Sequence, residues 1–505
     1  MTYRIGLKLL AVIALSACAT APLQRPIPVP PQAGDAYFQA AAQRVNATPA
    51  PRRARNVILF IGDGMGVATV TAARIHAGQR QGLDGESYAL TMDRFPHVAL
   101  SRTYGNDAQI SDSAPTATAL MSGVKTNAGI IGLTGGAAPG SCAGSGAFIS
   151  RSLIEIAEAA GLATGIVSTA RLTHATPAAA YAHVAGRDWE NDSIAARTGG
   201  GACIDIARQL IEWPEGDGLE IALGGGRANF LPSTQADPET PNARGARADG
   251  RDLTSEWRAR APGNVFVWNA GQLAAADADA RVLGLFSPSH MAYESARAGD
   301  AGGEPSLAEM TAAAIRRLSR DGGGYVLLVE GGRIDHAHHE GRAGEALSET
   351  IAFDDAIAAA LELTSRDDTL IIATADHSHT LTISGYARRG NPILGLSTDE
   401  HGAPVLALDR RPYTTLGYAN GPGAVFAPAL PGQAPPQTSR PDLSGVDTQA
   451  MEFRQPSLTP LESETHGGED VAIYAWGPGD DAVAGTLEQN AVFHVMARAL
   501  GFVWR

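Results

Sequence analysis

The chain has 505 residues, 44% of them hydrophobic and 18% charged, with 58 glycines, 30 prolines and a formal charge of -14. That much apolar material excludes a disordered or fibrous protein, and the glycine and proline content implies one large domain with many loops and insertions. The acidic excess excludes a general nucleic-acid surface, which needs a basic face to meet phosphates.

The N-terminus reads as an export signal. Arg4 and Lys8 precede an apolar run from Leu9 to Leu15 that is too short to span a bilayer, and small residues follow. Leu15-Ser16-Ala17-Cys18 resembles a bacterial lipobox, which makes 1–18 a lipoprotein-type signal and Cys18 a lipid anchor to the membrane. Ordinary secretory cleavage after Ala17 or Ala19 is the alternative. Either route leads to the periplasm or, with the anchor, the outer membrane. The Pro/Ala-rich stretch 19–55 then reads as a tether, and 56–505 as the folded domain. Two cysteines remain, Cys142 and Cys203. An even count in an oxidising compartment permits a disulfide, and equally permits two separate thiols.

Next in chain order, apolar β-branched runs alternate with helical patterns. Strands are predicted at 56–61, 163–168, 219–223, 325–329, 369–374 and 471–474, and helices at 67–76, 149–160, 204–213, 307–318, 344–363 and 487–500. The alternation indicates an α/β protein with a central, mostly parallel sheet flanked by helices. Residues 386–462, rich in Pro, Gly and polar side chains, read as an inserted subdomain, and 233–252 as loop.

Three predicted strands run directly into metal-type ligands: Ile58 to Ile61 into Asp63, Leu327 to Val329 into Glu330, and Leu370 to Ala375 into Asp376-His377. In a doubly wound sheet such strand ends face one crevice. Carboxylates gathered there repel one another unless cations join them. Six of the 13 histidines lie in three short groups, Asp335-His336-Ala337-His338-His339, Asp376-His377-Ser378-His379 and Glu464-Thr465-His466. Asp, Glu and neutral imidazole suit zinc.

Ser113, in Ser111-Asp112-Ser113-Ala114-Pro115-Thr116, is the candidate nucleophile. Asp112 or Ser113 can cap a following helix, and a serine at that end meets N–H groups that favour a phosphate. Plain capping is the competing reading. Arg187, in Ala185-Gly186-Arg187-Asp188, offers a planar fork for phosphate oxygens, or is simply a surface residue.

Five motifs in order resemble the alkaline phosphatase family over about Asn56 to Phe502. They are Gly62-Asp63-Gly64-Met65-Gly66, Asp112-Ser113-Ala114 through Gly123-Val124-Lys125-Thr126, Val329-Glu330-Gly331-Gly332-Arg333-Ile334-Asp335-His336, Ala375-Asp376-His377-Ser378-His379 and Thr465-His466-Gly467-Gly468-Glu469-Asp470. Matches around His174-Ala175-Thr176-Pro177 and Arg388-Arg389-Gly390-Asn391-Pro392 resemble its animal-type branch.

The resemblance implies hydrolysis of phosphate monoesters through a phosphoserine at Ser113, with Arg187 holding the phosphate. It implies one zinc on Asp335, His339 and His466, a second on Asp63, Asp376 and His377, and a magnesium on Asp63, Thr176 and Glu330. His174 and His336 fall beside the phosphate or behind the ligands, and Cys142 and Cys203 where animal-type members have a disulfide. The 386–462 segment matches the family's crown-like insertion, which implies a homodimer. A calcium site is not among what the resemblance predicts, because Ser287 stands where an acidic ligand belongs and Glu304 is only an approximate match. The rivals are a phosphodiesterase or sulfatase on the same sheet and a silent metal- or phosphate-binding lipoprotein.

Overall fold

The computed structural model describes residues 24–48, 52–199, 203–240, 242–426 and 439–504. Cys18 and the 1–18 signal lie outside the described residues. Among those described, ten strands form the main sheet: Asn56–Gly62 (β1), His97–Arg102 (β2), Ala163–Arg171 (β3), Ile221–Gly225 (β4), Asn264–Val267 (β5), Arg281–Leu285 (β6), Tyr325–Gly331 (β7), Thr369–Ala375 (β8), Val471–Trp476 (β9) and Gly485–Glu488 (β10). They lie in the order β10, β2, β9, β8, β1, β7, β3, β4, β6, β5. Every pairing is parallel except those of β9, which runs antiparallel to both β2 and β8.

All seven residues of β1, of β7 and of β8 are buried, which is why these strands read as unbroken apolar runs. Helices cover both faces: Ala36–Asn46 (α1), Val67–Arg80 (α2), Ser113–Ser122 (α3), Leu307–Leu318 (α4), Arg333–His339 (α5), Ala343–Leu363 (α6) and Ala491–Ala499 (α7). Val57, Leu59 and Ile61 point into the core shared with α3 and α7, and Ile58 and Phe60 into the core under α2, α4 and α6. The register sets the strand ends flush. Ile61 pairs with both Glu330 and Thr374, and Gly62 with Gly331 and Ala375.

The stretch expected as a tether is folded where it is described. Arg25–Ile27 pairs in parallel with Phe502–Trp504, and α1 packs on α7, with the Phe38 ring 5.7 Å from Phe493 and 4.4 Å from His494. Its composition hid an amphipathic helix. Asp35 caps it by accepting from Tyr37 and Phe38, and Phe38, Ala41 and Val45 are buried at helical spacing.

The predicted helix 487–500 is strand β10 followed by α7, broken at Gln489 and Asn490. In the 386–462 region, Leu416–Gly421 and Ser457–Pro460 join Leu381–Ile383 in a separate three-stranded sheet.

Candidate metal centre and nucleophile

Asp63 follows β1 directly, and the chain turns at Gly64, whose φ is 67°. A Cβ there would stand 2.4 Å from the His379 ring, so only glycine fits. At the adjacent end of β8, Asp376 Oδ1 accepts from the backbone N–H of Gly64 at 3.0 Å and of His377 at 2.9 Å. Asp335 and His339 share one face of α5 at an i, i+4 spacing. His466 comes from a short strand, His466–Gly467, whose register with Ser378–His379 sets it opposite His379.

Asp112 is the N-cap of α3, accepting from the backbone N–H of Ala114 at 2.8 Å. Ser113, the first helical residue, therefore has its hydroxyl free to point inward. Its Oγ donates to Asp63 Oδ1 at 3.3 Å and lies 3.2 Å from His377 Nε2. His377 Nε2 is in turn 3.4 Å from Asp63 Oδ1 and 3.5 Å from Asp376 Oδ2. In the second group, Asp335 Oδ1 lies 3.3 Å from His339 Nε2 and 3.4 Å from His466 Nε2, and the two imidazole nitrogens are 3.2 Å apart. A tetrahedral zinc with bonds of about 2.0–2.1 Å has ligand-to-ligand edges of roughly 3.3–3.4 Å. The edges of the Asp335 set and the two His377 edges of the Asp63 set match that length, and Ser113 Oγ stands at a similar distance from Asp63 and His377.

Asp63, His174 and Glu330 bring ligand atoms within 4.8 Å of one another. Thr176 Oγ1 and Glu330 Oε1 are buried there without a well-formed hydrogen bond, and the Thr176 hydroxyl is near enough to Glu330 to offset part of the upward push that burial gives its carboxyl. An orphaned hydroxyl and carboxylate oxygen suit a hard cation such as magnesium.

The electrostatics point the same way. Burial, then Asp376, Asp335 and Glu330, push Asp63 well above the usual carboxylate range. Burial and the charge of Asp376 raise Glu330 to about 8. Burial would also raise Asp335, but the His339, His379 and His466 imidazoles hold it well below. Burial keeps His377 neutral and ready to ligate. Four buried carboxylates this close need protons or cations.

Arg187 reaches the group with Nη1 3.0 Å from Asp112 Oδ1 and Nη2 3.2 Å from His174 Nε2. The sequence-predicted residues thus converge, with His174 and His336 as neighbours whose rings are 5.4 Å apart. Cys142 and Cys203 are joined in a disulfide.

Two further histidines enter that sequence reasoning left without a role. His379 sits between two carboxylates, Nε2 2.8 Å from Asp335 Oδ1 and Nδ1 against Glu464 Oε2. Burial disfavours its charge, yet Glu464 and Asp335 raise it to about 10, and its contact with Asp335 orients that carboxylate. His290, from a loop with no motif to flag it, sets its ring 4.0 Å from that of His336 at an interplanar angle of 56°.

A family model described as alkaline phosphatase matches residues 54–502. The chain is similar to the tissue-nonspecific isozyme of alkaline phosphatase from Gallus gallus, 46% identical over 460 residues, covering 88% of this chain and 84% of that protein. The isozyme of Homo sapiens is 44% identical over 456 residues, covering 88% and 83%. Among solved structures, the alkaline phosphatase of Thermus thermophilus superposes with a TM-score of 0.64 at 26% identity, over 93% of this chain and 96% of that one. The enzyme of the Antarctic bacterium TAB5 gives 0.59 at 22% identity, over 89% and 98%, a likeness of fold.

Proposed function

The chain belongs to the alkaline phosphatase family, and from that membership we propose that this phosphatase cleaves phosphate monoesters through a phosphoserine at Ser113. Zinc is assigned to Asp335, His339 and His466 and to Asp63, Asp376 and His377, and magnesium to Asp63, Thr176 and Glu330. The observation that carries this reading is the hydroxyl of Ser113 at 3.2–3.3 Å from two of the candidate ligands, His377 and Asp63, at the start of a helix.

When bound, the cations lower the pKa of a hydroxyl and neutralise departing oxygen. Ser113 Oγ attacks phosphorus, a Ser–O–P bond forms, the bond to the leaving group breaks, and the proton the serine gives up ends on the departing alcohol. Water then attacks the phosphoserine, releasing phosphate and restoring the serine hydroxyl. Arg187, held by Asp112, grips the non-bridging oxygens in both steps. The N–H groups at the start of α3 face the same charge. His174 and His336 lie beside the Asp63, Thr176 and Glu330 group, where burial first, and the neighbouring arginines as well, disfavour a charge on either imidazole.

The same reading places the protein outside the cytoplasm, carried by the 1–18 signal and anchored through a lipid on Cys18. It also makes the protein a homodimer through the 386–462 region, which exposes Leu408 and Leu458. No helix among the described residues is long and apolar enough to cross a membrane.

The test is p-nitrophenyl phosphate hydrolysis across pH, alongside an aryl phosphodiester and an aryl sulfate, with chelation and reconstitution by zinc and magnesium. Activity that rises into alkaline pH, returns with metal and favours the monoester supports the assignment. A substantially faster diester or sulfate reaction overturns it.

A further inference from the structure

Arg187 comes to the site on a loop, residues 182–190, seated between two flanks. On one flank the backbone N–H groups of Val184 and Ile131 donate to each other's carbonyls at 2.9 Å, that of Arg187 to Gly129 at 2.8 Å, and that of Gly140 to Ala185 at 2.7 Å. On the other, the backbone N–H of Ile206 donates to Trp189 at 2.8 Å and that of Ala207 to Glu190 at 3.2 Å.

Trp189, 2% exposed, packs beneath the loop. A Cβ on Gly186 would stand 2.6 Å from its indole, and one on Gly199 would stand 2.7 Å from that indole and 2.9 Å from Cys203 Sγ. Cys142 lies just past the first flank, and Cys203 opens the second. The bond between them, with Cα atoms 5.6 Å apart and a sequence separation of 61, encloses the whole Arg187 loop.

We propose that the Cys142–Cys203 disulfide is a positioning bond for Arg187: closed, it holds the two flanks at the separation that aims the guanidinium at phosphate, and opened, it weakens phosphate binding. The inference rests on the proposed role of Arg187. The carboxylates of the metal groups ride instead on β1, β7, β8 and α5, so their geometry does not depend on the bond. Both cysteines are partly exposed and line an open cavity of about 640 Å³ together with His183 and Trp189, so a small thiol can reach them. Opening is a two-electron exchange in which a dithiol gives up two hydrogens, leaving two cysteine thiols and a cyclic disulfide.

The experiment uses the full chain in two opened forms, the Cys142→Ser/Cys203→Ser double variant and native protein reduced with dithiothreitol, capped with iodoacetamide, desalted and reloaded with zinc and magnesium. Calorimetric binding of inorganic phosphate is measured beside KM, kcat, bound metal and the thermal transition, each also in an Arg187→Ala background. Loss of one charge-assisted contact predicts a rise of about 10- to 100-fold in phosphate Kd and in KM. Metal content is expected to hold and kcat to change far less, with no further rise when Arg187 is already alanine.

Unchanged phosphate affinity in a verified opened form overturns the proposal. So does an equal loss in the Arg187→Ala background, or loss of the folded state in both forms, either of which makes the bond merely structural. If Arg187→Ala alone leaves phosphate binding intact, the functional assignment of Arg187 is what fails, and the inference falls with it.

Discussion

The Asp112 carboxylate meets Arg187 Nη1 at 3.0 Å and caps the helix that Ser113 begins, accepting from the backbone N–H of Ala114 at 2.8 Å. One side chain therefore fixes both the candidate nucleophile and the candidate phosphate grip. Asp112→Ala is expected to cost about 1 kcal/mol through the lost cap and to raise KM several-fold. Asp112→Asn keeps a capping oxygen, so it should spare most of the stability while still raising KM. Thermal unfolding and steady-state kinetics on both variants separate the two duties, and an unchanged KM in both would show that Arg187 is placed without Asp112.

Ser113→Ala removes the group that takes the phosphoryl moiety. A loss of about 10³-fold or more in kcat is expected, with phosphate still bound. Mass spectrometry of protein acid-quenched during turnover should find a phosphopeptide carrying Ser113. A phosphopeptide at another residue would reassign the nucleophile.

His379 holds Asp335 from behind, backed by Glu464. Removing such a supporting partner weakens a metal site by roughly 10- to 100-fold. His379→Ala should therefore lower zinc affinity by about that factor in competition with a chromophoric chelator. Wild-type affinity in the variant would mean Asp335 needs no such support.

Chelation leaves Asp63, Glu330, Asp335 and Asp376 to repel one another. Glu330, raised to about 8 by burial and Asp376, contributes stability that is present below its unfolded pKa and is lost as pH rises through about 8. The fall in Tm on adding EDTA should thus grow between pH 6 and pH 9. A pH-independent fall would contradict the charge argument.

Glu158 lies far from this site, 3% exposed, where burial pushes it up to about 7. As an acid with a raised pKa, it stabilises below the unfolded value near 4.5 and loses that contribution as pH rises through 7. Glu158→Gln stays neutral, with its carbonyl free to accept from the Gly218 N–H and its amide to meet the Thr164 hydroxyl. It should gain on the order of 1–2 kcal/mol over wild type at pH 9 and little at pH 5. Urea midpoints at the two pH values decide it.

Wherever a signal is local, the sequence carried it. Unbroken apolar runs marked β1, β7 and β8, because strands buried on both faces need no polar alternation. Their ends delivered Asp63, Glu330 and Asp376, and the order Asp112-Ser113 marked a helix start beside them. In three dimensions Asp112 takes the cap, which leaves the Ser113 hydroxyl directed at Asp63 and His377. Strands β2, β5 and β10 escaped notice because they lie on the outer parts of the sheet with less of their surface buried, and the short β6, though mostly buried, was missed beside them.

Composition misled at the N-terminus. Averaged over 19–55, proline and alanine suggested a tether, while the spacing of Phe38, Ala41 and Val45 gains meaning only from a partner helix more than four hundred residues on.

The sequence by itself thus determined the sheet's central strands and marked the candidate ligands at their ends and the candidate serine at a helix start, since periodicity and capping depend on near neighbours. Only the tertiary structure decided which imidazole serves which carboxylate, that His379 backs Asp335, that His290 joins His336, and that a disulfide brackets the Arg187 loop. Those relations join residues such as His379 and Glu464, 85 positions apart. Chain closure over that distance leaves no periodic trace, so their pairing is settled by packing alone.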